Sequence, residues 1–397
     1  MSILSGIAIL SLISWIYLSL LHGRFWTTAI PPTPSWSPTE PDGWPRVRVV
    51  VPARNEAEVI ADTVRAVLGQ TYPGPLELIV VDDNSDDDTS IQAAEAAQKD
   101  LRLTVLAGQP LPRGWAGKVW AMKQGSELPS EMSPDFIWFT DADILHQPNT
   151  LEQLVKRAEG DQRDLVSRMA LLKTDTIAEQ FIIPAFVYFF QMLYPFRWSN
   201  SPSPFFAAAA GGCVLLRADR LARIGGVDAI RDALIDDCTL AREVKDSGGS
   251  LWLELTRETV SARGYGNFSG LWTMIARSAY TQLRHNPLIL LGCVLGLGLT
   301  FLVPWAAIAI GLIFGQIGIL APGLLAWLAM IVTFWPMVRF YNNQKTARSF
   351  LIVFALPATA LFYLMATIDS ARRYHLGVGG QWKGRSQANC VSGATND

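Results

Sequence analysis

Phe136-Ile137-Trp138-Phe139-Thr140-Asp141-Ala142-Asp143 is an apolar run that stops on two carboxylates. The run reads as a strand, and in an extended chain Asp141 and Asp143 project to the same side. Carboxylates so placed can converge on a hard cation that also holds phosphates. A lone Asp-x-Asp is also an ordinary turn, so its weight depends on what surrounds it.

The same design recurs on both sides. Val49-Val50-Val51-Pro52-Ala53-Arg54-Asn55-Glu56 runs from an apolar strand into a polar turn. Ile79-Val80-Val81-Asp82-Asp83-Asn84-Ser85-Asp86-Asp87-Asp88-Thr89 again delivers carboxylates at a strand end. In open α/β sheets ligands bind outside the carboxyl ends of the strands, so these residues face the expected crevice. Asn55 also suits a helix cap. Crowded aspartates repel unless hydrogen bonds or a cation offset the charge; Asp86 to Asp88 fit a solvated turn and cap, whereas Asp82 and Asp83 are placed to accept hydrogen bonds from a base or ribose. Further on, Leu234-Ile235-Asp236-Asp237-Cys238 opens a helix that ends near Gly248-Gly249. Capping accounts for one carboxylate there and does not require two.

From Arg46 onward, apolar runs alternate with helical periodicity, which predicts an α/β fold with a mostly parallel sheet covered by helices. Strands are expected at 47–51, 77–81, 103–106, 136–140 and 165–169, and helices at 56–68, 89–98, 118–126 and 150–158.

The chain has 397 residues, of which 50% are hydrophobic and only 17% charged, against about 25% charged in soluble domains. The apolar excess lies at the two ends. Residues 3–21 are uncharged and long enough to cross a bilayer; without a basic leading region or an Ala-x-Ala site, the stretch reads as an anchor rather than a cleaved signal. Pro31, Pro32, Pro34, Pro38, Pro41 and Pro45 then break any helix and suit a linker. Apolar runs at 288–314, 320–338 and 350–368 give three further spans. The expected division is therefore an anchor at 1–24, a linker at 25–45, a globular domain at 46–287, a membrane region at 288–375 and a polar tail at 376–397.

Arg24, Arg46 and Arg48 follow the first span, which puts the globular domain on the cytoplasmic side. Arg339, Lys345 and Arg348 agree. Arg372, Arg373, Lys383 and Arg385 do not, so one C-terminal segment is expected to be re-entrant or interfacial. The aromatic stretch 181–198 fits either a helix in the headgroup layer or a buried core helix.

A net charge of −2 gives no reason to expect nucleic acid. Cys213, Cys238, Cys293 and Cys390 lack metal or disulfide spacing, and His22, His146, His285 and His375 are scattered singly. No Gly-rich phosphate loop of the P-loop or dinucleotide type is present.

The four motifs, in this order and spacing, resemble the family 2 glycosyltransferases of GT-A fold over roughly residues 46–284. The resemblance implies transfer of a sugar from a nucleotide-sugar donor, with UDP the favoured nucleotide, using Mg²⁺ or Mn²⁺. It implies that Pro52, Arg54, Glu56 and Asp83 border the base and ribose, and that Asp141 meets the ribose and phosphates. Asp143 would ligate the metal. Asp237 would be the base, with Asp236 standing where the family usually has glutamate. One base without a nucleophile pair favours direct displacement with inversion, unlike the paired carboxylates of glycosidases.

Two further segments can close such a site. In Arg113-Gly114-Trp115-Ala116-Gly117-Lys118, the glycines permit close backbone approach and Lys118 can meet a phosphate; a surface loop with a solvated lysine is the alternative. Arg277 and Gln282-Leu283-Arg284 resemble the family's Gln-x-x-Arg-Trp, short by one residue and without the tryptophan, which points away from a processive synthase. The Trp115 loop, the Phe189–Phe196 stretch and the segment after Arg277 together resemble hopanoid-associated glycosyltransferases, and less closely ceramide glucosyltransferases. That implies a membrane lipid acceptor in a bacterial cytoplasmic membrane. A polyprenyl-phosphate glycosyltransferase and a non-catalytic membrane scaffold are the alternatives.

Overall fold

The computed structural model describes residues 3–39, 43–342, 347–377, 381–382 and 385–386. Pro41, Lys345, Lys383, Cys390 and most of the polar tail lie outside them.

The chain divides into two units that are each discontinuous in sequence. Ile30–Lys173 and Trp198–Arg263 build a sheet unit, and Met1–Ala29, Thr174–Arg197 and Gly264–Gly379 build a helical unit. The division by consecutive segments drawn from composition runs differently: 46–287 includes two stretches that pack with the helical unit.

Among the described residues the main sheet of the sheet unit has eight strands: β1 Val47–Ala53, β2 Leu76–Asp82, β3 Leu103–Ala107, β4 Phe136–Phe139, β5 Ile144–His146, β6 Leu165–Leu171, β7 Val214–Arg217 and β8 Leu251–Ser261. Their order is β3-β2-β1-β4-β7-β6-β8-β5. β1 pairs in parallel with β2 and β4, β2 with β3, and β6 with β8. β7 is antiparallel to β4 and β6, and β5 to β8. The five predicted strands are all present. The sheet is more mixed than expected because β5, β7 and β8 are additional: β5 and β7 are too short for periodicity to register, and β7 enters the sheet after the chain has returned from the helical unit.

Alternation along β1 sets the two layers. Val47, Val49 and Val51 pack with Ile60, Val64 and Val67 of the Ile60–Leu68 helix and Leu151 and Leu154 of the Thr150–Gly160 helix. Val50 faces the other way, onto Val119 and Met122 of the Gly117–Ser126 helix and Leu240 and Val244 of the Asp236–Asp246 helix. Each fully buried valine contributes about 1.5–3 kcal/mol. The Gly117–Ser126 helix lies unusually close to the sheet: a Cβ on Gly125 would come within 2.5 Å of Val50 Cγ1 and 2.9 Å of Val81 Cγ2. This contact fixes the helix so that its first turn, with Lys118, stands at the carboxyl ends of the parallel strands.

In the helical unit, Ile3–Leu20, Pro287–Ile313 and Ile317–Tyr341 are long and apolar enough to cross a membrane. Arg348–Phe354 and Leu356–His375 pass the same test together but are bent by 56°. The Pro287–Ile313 span is interrupted by a π-helical turn, Gly298–Leu302. Such turns weaken the backbone ladder, and here Trp15 Nε1 donates to Thr300 O at 2.7 Å. The aromatic Ile177–Leu193 helix has its Tyr188 face buried: the Tyr188 hydroxyl hydrogen-bonds Thr333 at 2.8 Å, and its ring meets Phe25 and Phe334.

Candidate active site

The loops leaving β1 and β2 are tied together by their polar residues. Asn55 adopts a left-handed conformation, with φ of +52°; its N–H donates to Ser85 Oγ at 3.0 Å and its Oδ1 accepts from the Asp86 N–H at 2.8 Å. It caps no helix, and the following helix starts at Ile60. The reason is the neighbouring loop, which satisfies Asn55 better than a helix end would. The Glu56 N–H donates to Thr89 Oγ1 at 2.8 Å and the Ala57 N–H to Asp87 Oδ2 at 3.1 Å. Asp87 also accepts from the Thr89 amide and hydroxyl. Asp88 stands at the N-cap without a side-chain capping bond. The aspartate run therefore stitches two loops, and Asp86 to Asp88 remain exposed.

Arg54 is nearly buried, and its Nη1 donates to Asp83 O at 2.5 Å and Asn84 O at 2.7 Å. Asp83 is fully buried, with Oδ1 accepting from Asn84 Nδ2 at 3.3 Å, and Asp82 Oδ1 accepts from the Ser85 N–H at 3.0 Å. These residues define the floor of the β1–β2 edge.

At the end of β4 the buried Thr140 hydroxyl lies 2.8 Å from His146 Nε2 and donates to Gly212 O at 2.9 Å. Burial, then Arg168, push the His146 imidazole down to about 3. It is a neutral packing group. Asp143 is pushed up to about 6 by burial and then by Asp141 and Glu56, which outweigh Arg263. Arg263 pairs with Glu56 at 2.8 Å.

Lys118 joins the strand end to a helix. Its Nζ lies 2.7 Å from Asp141 Oδ1 and 3.0 Å from Asp236 Oδ2. Burial works against its charge, yet Asp141 and then Asp236 hold its pKa above the usual lysine value. It is not the solvated surface lysine that its loop allowed. Gly114, in the same loop, has φ of +80° and open space around a would-be Cβ. Its glycine is therefore required by conformation rather than by close approach.

Asp236 and Asp237 form the first turn of the Asp236–Asp246 helix. Asp237 Oδ2 accepts from the Gly211 N–H and Oδ1 from the Cys238 N–H, each at 2.7 Å. Burial and then Asp236 raise its pKa, opposed by Lys118 and the two amides. Pro52, Lys118, Asp141, Gly211, Asp236 and Asp237 all line one crevice. Five chain segments far apart in sequence thus converge at the carboxyl ends of β1 and β4.

Among the described residues no three His, Cys, Asp or Glu side chains form an all-protein metal site. Asp143 nevertheless fits a shared one. It is buried and lies in the field of the Asp141 and Glu56 carboxylates, which Arg263 only partly offsets, and Mg²⁺-type ions typically take one or two carboxylates and complete their shell with substrate phosphates.

Sequence reading missed Gly211 and Arg263. A Cβ on Gly211 would lie 3.2 Å from Lys118 Nζ and 3.3 Å from Asp237 Oδ2; the Gly-Gly pair after four alanines was its only signal. Arg277, Gln282 and Arg284 belong to the helical unit. Arg277 and Gln282 lie on the Phe268–Gln282 helix, with Gln282 Nε2 donating to Tyr194 Oη at 2.5 Å, and Arg284 follows it with φ of +54°.

This sheet, with long apolar helices near both ends of the chain, is of GT-A type. The mannosyltransferase PcManGT of Pyrobaculum calidifontis, solved with GDP-mannose and Mn²⁺, superposes with a TM-score of 0.52 over 93% of this chain and 99% of that one, at 18% identity. Residues 48–209 match the model for glycosyl transferase family 2. The probable glycosyltransferase YdaM of Bacillus subtilis is 29% identical over 208 residues, 51% of this chain and 47% of its own. The glycosyltransferase AglE of Haloferax volcanii is 31% identical over 123 residues, 31% of this chain and 38% of its own. The chain thus spans less than half the length of these two curated relatives.

Proposed function

We propose that this protein is an inverting, non-processive glycosyltransferase that uses a nucleotide-sugar donor and glycosylates a membrane lipid, with its sheet unit on the cytoplasmic side. The observation that carries the reading is the Asp237 carboxylate, oriented by two backbone N–H groups and facing the crevice that Lys118 and Asp141 share.

In the reaction an acceptor hydroxyl oxygen attacks the anomeric carbon, the bond from that carbon to the diphosphate breaks, and the hydroxyl proton passes to Asp237. Asp237 suits this role because burial and Asp236 make it more basic than a solvated aspartate. Lys118 presents positive charge where the leaving diphosphate develops negative charge. Asp143 is the candidate ligand for Mg²⁺ or Mn²⁺, which when bound supplies charge neutralisation to the diphosphate. Pro52, Arg54, Glu56, Asp82 and Asp83 are assigned to the base and ribose side, and Asp141 to the ribose and phosphates. Arg277, Gln282 and Arg284 are assigned to the diphosphate on resemblance alone.

A lipid acceptor is supported by the three to four apolar helices on the same chain. A hopanoid-type acceptor is the narrower form of this reading and rests on the loop resemblances alone. The solved mannosyltransferase with GDP-mannose and Mn²⁺ makes GDP-sugars worth testing beside UDP-sugars.

The test uses the full chain in detergent, radiolabelled UDP- and GDP-sugars, Mn²⁺ and a total polar lipid extract. Asp237→Asn should lower transfer roughly 10²- to 10⁴-fold while retaining nucleotide binding. Asp143→Ala should lose Mn²⁺-dependent nucleotide binding. Full activity in both variants would refute the assignment.

A further inference from the structure

The helix that carries Asp237 also holds a loop that the reaction described above does not use. Two turns beyond the acidic pair, Arg242 Nη1 donates to Pro204 O at 2.5 Å and Nη2 to Phe205 O at 3.0 Å. One turn further, the buried Lys245 donates to Ser199 O at 2.6 Å and Ser201 O at 2.7 Å. Lys245 makes no ion pair among the described residues. Two cations of one helix thus bind four carbonyls of the 199–206 loop.

The loop is anchored at its base as well. Asn200 Nδ2 donates to Leu253 O at 2.9 Å and its Oδ1 accepts from the Leu253 N–H at 2.7 Å, extending β8 by a side chain. Its far end continues through the buried Ala207 to Ala210 into Gly211, whose N–H holds Asp237. Loops at a surface are ordinarily mobile, and ordering each residue costs conformational entropy. Here that cost is met by a cluster of charge-assisted bonds, and the side chain so displayed is Phe205, which is 81% exposed. The Trp198 and Phe206 rings of the same segment meet at a tilt of 41°, with centroids 4.7 Å apart. A large apolar group held firmly in water by the base-bearing helix stabilises nothing within the sheet unit itself.

We propose that the 199–206 loop is the acceptor-side wall of the site, that Phe205 contacts the apolar part of the acceptor, and that Arg242 and Lys245 are positioning residues that set this wall relative to Asp237. The inference rests on the glycosyltransferase reading and deepens it: the acceptor class is one with apolar surface close to the reacting hydroxyl. Because the loop and the base share one helix, acceptor contact and proton acceptance stay in register.

The test compares wild type, Phe205→Ser, Arg242→Gln and Arg242→Lys as full chains in detergent. Acceptor dependence is measured with a titrated polar lipid extract, nucleotide affinity with UDP or GDP and Mn²⁺, and folding by thermal unfolding. Phe205→Ser should raise the apparent acceptor KM roughly tenfold or more, the scale of losing one buried aromatic contact. Nucleotide affinity and Tm should stay at the wild-type values. Arg242→Gln should shift acceptor KM in the same direction, with partial rescue by Arg242→Lys, which keeps the charge but not the forked donors. An unchanged acceptor KM in Phe205→Ser overturns the proposal. A parallel fall of Tm and nucleotide affinity in Arg242→Gln, without rescue, overturns the positioning role and makes the clamp structural. Failure of the wild-type chain to bind either nucleotide instead defeats the glycosyltransferase reading beneath it.

Discussion

Lys118 is the residue that ties two parts of the crevice together, since one ammonium pairs with Asp141 of the β4 end and Asp236 of the helix start, and in the proposed reaction Asp237 beside it is the base. Its charge also opposes protonation of Asp237. A base whose carboxyl lies above the ordinary aspartate value loses activity as pH falls through that raised value. Removing a nearby cation raises it further. Lys118→Met should therefore move the acidic limb of the kcat–pH profile upward by about one pH unit or more, and a limb that stays in place would show that the two groups do not communicate. At this scale the sequence was partly legible. The carboxylates at strand ends stood out because charge after an apolar run has few structural explanations. Gly211 and Arg263 did not, because an amide or guanidinium that matters through its reach leaves no local pattern. Asn55 misled for a related reason: its side chain answers to Ser85 and Asp86 across a loop rather than to its own helix.

Among the elements, the five predicted strands were read from runs long enough to alternate or to stay apolar, whereas three-residue β5 and four-residue β7 depend on neighbours for their existence. The apolar spans were equally legible, but their mutual packing was not. Ile317–Tyr341 lies against Val303–Ile313 so closely that a Cβ on Gly323 would stand 2.9 Å from Ala307 Cβ and 3.0 Å from Pro304 O. Gly292, in the Pro287–Ile313 span, has open space at the same position. Gly323→Leu should destabilise the helical unit by about 1–3 kcal/mol, and Gly292→Leu should be near neutral. Thermal unfolding in detergent distinguishes them; equal Tm values would mean that this helix contact contributes nothing to stability. Small residues permit such approach without any hydrophobic drive between helices in lipid.

For the whole molecule, composition suggested a domain at 46–287 followed by membrane helices, yet the Ile177–Leu193 and Phe268–Gln282 helices pack within the helical unit. Tyr188 meets Phe25 and Phe334, and Trp272 Nε1 donates to Asp369 at 2.9 Å. Apolar content alone does not say which partner an apolar helix will find. A fragment of residues 46–287 should consequently aggregate or require detergent, because both helices lose their partners. A monomeric, soluble fragment in size-exclusion chromatography would contradict this.

The packing of Ile3–Leu20 on Val303–Ile313 and Ile317–Tyr341 also has a temporal side. Ile3–Leu20 is synthesised long before these partners, so its Trp15 indole lacks the Thr300 carbonyl until the later helices have been made. Meanwhile β6 emerges before the aromatic helix, and its neighbours β7 and β8 only after it. Biogenesis of this protein is thus a matter of deferred partnerships, in which an interrupted translation product has neither a closed sheet nor a finished helical unit.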